Sequence, residues 1–230
     1  MSLSIVFTRI LLYTALLVGI YAVMAFDALA ADFGESSLTE YAQEILLFLM
    51  ASISFYSARR YPMYRVLGIS LGVLAVVSLV REFNNYAYEH LFPHAWLVGV
   101  LLVLLPFLVF LYRNLRRFVR EVTSMADSYP FALLLMGVLV LHVFSRLYGL
   151  HFIWQNLMGD QYMRAVARAS EESIELLGYS ILFIGTVEFA LFARRTTRLL
   201  SRVMAPAPLQ RSAQKTLRVS VRKQTALSRD

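Results

Sequence analysis

Val80-Arg81-Glu82-Phe83-Asn84-Asn85-Tyr86 closes an apolar run that begins at Val66. The run matches the roughly 20 residues that cross a hydrocarbon core as a helix. Charged groups are costly at that depth, so Arg81 and Glu82 are candidates for a functional site. Reading this stretch as the end of a membrane span decides the fold, because five more apolar runs fill most of the chain.

The expected spans lie at about 4–26, 40–58, 66–88, 96–112, 130–148 and 171–193. With 59% hydrophobic and 16% charged residues, the chain is far more apolar than a soluble domain. Local signals set the boundaries. Ser37-Leu38-Thr39-Glu40 reads as a capping box opening span two. Ser128-Tyr129-Pro130 places a serine cap and a first-turn proline at the start of span five. Pro93 marks the turn between spans three and four, and Pro106 lies inside span four. Residues 149–170 are too polar to cross; Tyr148, Phe152, Trp154 and Tyr162 suit a segment at headgroup level. On a continuous helix, Arg168 there can reach Glu172. The fold expected is an all-α, six-transmembrane-helix bundle over residues 1–202, with spans two, three, five and six as its core. A basic tail, 203–230, has little apolar content and is expected to be disordered.

The first run has a second reading as a signal peptide, since Ala28-Leu29-Ala30 precedes Ala31 in a cleavage-like pattern. Its apolar stretch at 10–26 is longer than most signal-peptide cores, which favours an uncleaved helix. Orientation follows from charge. With six spans, Arg9, the 59–65 and 113–120 loops and residues 194–230 hold eighteen basic residues. The opposite face keeps Arg81, Arg146, Arg164 and Arg168, which completes the chain's 22. The positive-inside rule then places both termini in the cytoplasm of a plasma membrane, the inner membrane in a Gram-negative cell. The expected partners are the bilayer, anionic lipid headgroups at the tail, and a membrane-protein partner or a second copy of the chain. No nucleic-acid motif accompanies the +7 charge, so no nucleic acid is expected.

Eleven of the fifteen acidic residues and all four histidines fall in the outer half. Glu44, Arg81, Glu82, His142, Arg146 and Glu175 lie one to two turns inside their span ends, with Asn85, Glu172 and Tyr179 beside them. Gly68, Gly72, Ala75 and Glu82 share a face of span three, and small residues at such spacing let helices approach closely. Glu82 is therefore expected to point inward. Similar stripes join Glu40, Glu44, Ala51, Ser54 and Ala58 in span two, and Glu171, Glu175, Gly178 and Gly185 in span six. Spans one and four carry no comparable group. Plain structural roles suit several others. Glu40 belongs to the capping box, and Glu171 and Glu172 to a first helical turn, where carboxylates favour the macrodipole. Glu89, His90, His94 and His151 suit exposed loops, and Glu188, six residues before Arg194, suits the inner interface.

Three inner carboxylates against two arginines leave excess negative charge. Either a carboxylate is protonated, His142 is cationic or a cation binds, as in transporters and proton relays. The leading expectation is a pocket for a proton, cation or small polar ligand in a transport, sensing or accessory role. A membrane-embedded enzyme using Glu82, Glu175 and His142, with or without a metal, is the second reading. Di-iron bundles add Glu-x-x-His motifs on two helices, and none occurs here. Serine-hydrolase, phosphate-loop and dinucleotide motifs are also missing. No cysteine is present, which excludes thiolate sites and disulfides. No catalytic residue or cofactor is assigned. The third reading is a structural or assembly subunit whose ion pairs only pack.

Overall fold

The computed structural model describes residues 3–30, 37–83, 92 and 94–203. They form eight helices, α1 Leu3–Ala30, α2 Leu38–Arg60, α3 Arg65–Glu82, α4 Ala95–Arg113, α5 Leu115–Thr123, α6 Tyr129–Tyr148, α7 His151–Met158 and α8 Arg164–Val203. A 3₁₀ turn, Pro62–Tyr64, joins α2 to α3, and no strand occurs among the described residues. The chain divides into two compact units, Met1–Ala193 and Arg194–Asp230. The helix contacts described below lie in the first. In the second, the described residues form the mostly exposed end of α8, where Ser201 Oγ donates to the Arg198 carbonyl.

Five helical segments are long and apolar enough to cross a membrane: α1, Pro62–Glu82, α4, α6 and α8. At 23 residues α2 is also long enough, but Glu40, Gln43, Glu44 and its serines make it more polar than the others. Burial identifies the central helix. Of the most apolar window, 61% is buried in α8 but only 6% in α1 and in α4.

Small residues set the helix spacing. A Cβ on Gly68 would lie 3.0–3.1 Å from Ala58, and one on Gly72 would run into the Phe55 ring, so α2 and α3 are nearly in backbone contact. Across α6 and α8, Gly178 faces Leu141, Gly185 faces Leu134, and Gly137 faces Leu182. This interlocking gains close van der Waals contact, which drives helix association where the surroundings are already apolar. Tyr64, fully buried, meets Phe189 edge-on at 6.1 Å.

Polar side chains fasten the helix ends. Ser37 Oγ accepts from the Glu40 amide at 3.2 Å, as a capping serine should. Asp27, buried near the end of α1, accepts from the Leu38 and Thr39 amides at 3.1 and 2.7 Å and from the Thr39 hydroxyl at 2.6 Å. At the opposite end, buried Glu121 of α5 accepts from the Leu67 amide at 2.7 Å and pairs with Arg117 at 2.8 Å; Arg117 also donates to the Pro62 carbonyl. Each carboxylate satisfies amides that a helix start leaves without intrahelical partners.

Several expectations need correction. Helix α8 starts at Arg164, so Glu171 and Glu172 stand two turns in and the first-turn macrodipole reading falls. Residues 149–170 comprise α7, a short turn and the first residues of α8. Ser128 occupies the cap position of α6 beside Pro130, yet its hydroxyl makes no capping bond. Span one, expected at the periphery, is only 6% buried over its most apolar window, and it is tied to α2 by Asp27 and to α8 by Arg9 and Tyr13. Helix α3 is described only to Glu82 with Phe83 as its cap, and Asn85, Glu89, His90 and the tail from 204 lie outside the described residues.

Candidate functional site

Four helices meet at the acidic end of the bundle. Arg81, the penultimate residue of α3, pairs with its neighbour Glu82 at 2.8 Å and lies 3.7 Å from Glu175 of α8. Tyr179, one turn further along α8 and fully buried, donates its hydroxyl to Glu82 at 2.7 Å. Arg146 near the end of α6 pairs with Glu171 at 2.8 Å and Glu175 at 2.9 Å. Gln43 of α2, 1% exposed, donates to the Glu172 carboxylate at 3.0 Å and to its carbonyl at 3.4 Å. Glu175 therefore sits between two arginines from different helices.

The geometry at Glu175 is incomplete. Its side chain is only 5% exposed, and Oε1 approaches Arg146 closely without the alignment of a hydrogen bond. Glu44 is half-buried, forms no ion pair among the described residues, and is near enough to Glu82 for electrostatic repulsion. Two arginines thus pair with three glutamates, Glu82, Glu171 and Glu175, while Glu172 is held by Gln43 and Glu44 stands close by. Such an excess is not a comfortable resting state. At about 6 Å and an effective dielectric of about 20, two like charges repel by roughly 3 kcal/mol.

Helix α6 departs from regular geometry where it supplies Arg146. Val140–Phe144 forms a π turn, and Ser145 donates back to the Leu141 carbonyl. One extra residue per turn rotates the rest of the helix by about 100° relative to regular geometry. His142 and Arg146 consequently do not act as a simple i, i+4 pair. Arg146 reaches α8, whereas His142 is exposed, joins none of these contacts, and has Arg81 and Arg146 as its charged neighbours.

A second ionic cluster lies thirteen residues along α8. Buried Glu188 pairs with Arg9 of α1 at 2.8 Å and accepts from the Tyr13 hydroxyl. It repeats the Arg–Tyr–Glu chemistry of Arg81, Tyr179 and Glu82 with one difference: one cation meets one anion, so its charge balances. Tyr179 and Glu188 are nine positions apart, which places them on opposite faces of α8 at a separation of about 13 Å along the axis. Glu188 finds its partners on α1.

Sequence reasoning passes over Gln43, Arg9, Tyr13 and Asp27 as site residues and gives Glu171 a first-turn role toward the helix macrodipole. Gln43 carries a signal all the same. Its amide stands one turn after Thr39, on the face of α2 that takes Leu46, Leu47 and Met50 into the core. Among the described residues no three His, Asp or Glu side chains are arranged to hold a metal ion. Compared with protein-family models, curated proteins and solved structures, the chain matches none of them.

Proposed function

We propose that this chain is a six-span membrane protein, with α2 as the sixth span, that binds a proton or small cation in the Glu82–Glu172–Glu175 cluster in a transport, sensing or accessory role. The observation that carries this reading is the surplus of carboxylates around buried Glu175, with one of its oxygens left without an aligned donor. A purely structural network has less need of such imbalance, since apolar replacements often pack as well as buried ion pairs. The balanced Arg9–Tyr13–Glu188 cluster illustrates the structural alternative within the same molecule.

The eighteen-to-four distribution of basic residues supports cytoplasmic termini and an extracytoplasmic position for the cluster. Infrared difference spectroscopy on protein reconstituted in lipid tests the site. A protonated-carboxyl band at neutral pH, or a carboxylate band that shifts on adding sodium or potassium, is expected. Glu175→Gln should remove or displace that signal while Glu188→Gln keeps it. A cluster that stays fully ionised, with no bound cation at any pH, would overturn the reading.

A further inference from the structure

At the arginine-rich end, α2 and α3 enclose a cleft of about 410 Å³ lined by Phe55, Ala58, Arg59, Pro62, Arg65 and Ile69. The two helices run antiparallel across the Pro62–Tyr64 turn, and their residues fall into two rungs. Arg59 and Arg65 form the outer rung. Phe55 and Ile69 lie four residues further into α2 and α3, which is about 6 Å deeper along the helix axes. The close approach of Ala58 to Gly68, and of the Phe55 ring to Gly72, makes the floor of the cleft apolar and shallow.

Neither arginine pairs with a carboxylate among the described residues, although Arg117 nearby is engaged by Glu121. Both are exposed, as is Pro62 between them. We propose that this cleft holds an anionic phospholipid, its phosphate on Arg59 and Arg65 and the start of an acyl chain against Phe55 and Ile69. Arginine suits the task because its planar fork matches phosphate oxygens and is weakly hydrated. The layering of cation over apolar surface matches a lipid's own layering, whereas a free phosphate would use only the outer rung. This site is separate from the acidic cluster, and neither proposal depends on the other.

Thermal unfolding of the full-length protein in detergent, with added phosphatidylglycerol, phosphatidylcholine or inorganic phosphate, tests the proposal. Phosphatidylglycerol should stabilise the protein well beyond phosphatidylcholine, and inorganic phosphate should not. Each arginine should contribute roughly five-fold to apparent affinity, the attraction expected of one basic residue at an anionic surface, so Arg59→Gln with Arg65→Gln should weaken it by about 25-fold. The control Arg113→Gln with Arg116→Gln should leave the effect in place. If the double variant does not fold, Tyr61→Trp on the native background provides a second readout. Brominated phosphatidylglycerol should then quench the added fluorescence more than brominated phosphatidylcholine, since Trp96 and Trp154 lie towards the other end of the bundle. Equal effects of the two lipids, equal stabilisation by phosphate, or an undiminished response in the arginine variant would each overturn it.

Discussion

Glu188 and Glu175 lie on one helix, both nearly inaccessible, yet their surroundings assign them different work. Glu188 has one arginine and one tyrosine, a closed and balanced set. Removing it by Glu188→Ala leaves Arg9 without its anion, which should cost about 3–5 kcal/mol of stability. The joint change Arg9→Met with Glu188→Met should recover most of that loss, as read by thermal unfolding in detergent. A double variant no more stable than Glu188→Ala would show that the pair does more than neutralise itself. Glu175 has two arginines but also shares them with Glu82 and Glu171, and its open oxygen is the feature on which the proposed site turns. The sequence makes Glu175 visible as a carboxylate at a costly depth. Its partners are less legible, because which helix faces which is a matter of rotation and neighbour choice, and neither is encoded locally.

At the scale of elements, the glycines of α6 and α8 govern how closely Arg146 and Glu175 approach. A methyl group at Gly178 would meet the Cβ, Cα and amide nitrogen of Leu141 at 3.0–3.1 Å, and backbone cannot swing aside. At Gly72 the obstacle is the Phe55 ring, the movable end of a side chain. Gly178→Ala should therefore lower the melting temperature more than Gly72→Ala, with a cost of about 1–3 kcal/mol for the former. The reverse order would mean that α6 yields more readily than α2. Small-residue stripes are legible as a spacing in the sequence, and they do lie at close helix contacts. The π turn at Val140–Phe144 is not, since its residues read as ordinary apolar helix and the extra residue shows only in the hydrogen-bond register.

For the whole molecule, α1 is the informative helix. It is apolar and largely exposed, yet Asp27 satisfies the start of α2 and Arg9 reaches Glu188. Both contacts would vanish with a cleavage after Ala30, so intact mass of the mature protein should include residues 1–30. Loss of that segment would contradict the role given to α1. Reporter fusions at Met63 and Pro93 should report cytoplasmic and extracytoplasmic positions, respectively; a cytoplasmic Pro93 would move the acidic cluster to the other side. By itself the sequence determined the helical, membrane-type character of the chain and the gathering of acidic residues toward one end. Hydrophobic run length and charge distribution are additive along a chain and need no knowledge of neighbours. Only the tertiary structure decided that Glu171 and Glu172 belong to the interior of a longer helix, that Gln43 joins the cluster, and that His142 stands outside it. Those outcomes depend on helix rotation, a one-residue change in register and contacts between residues more than a hundred positions apart.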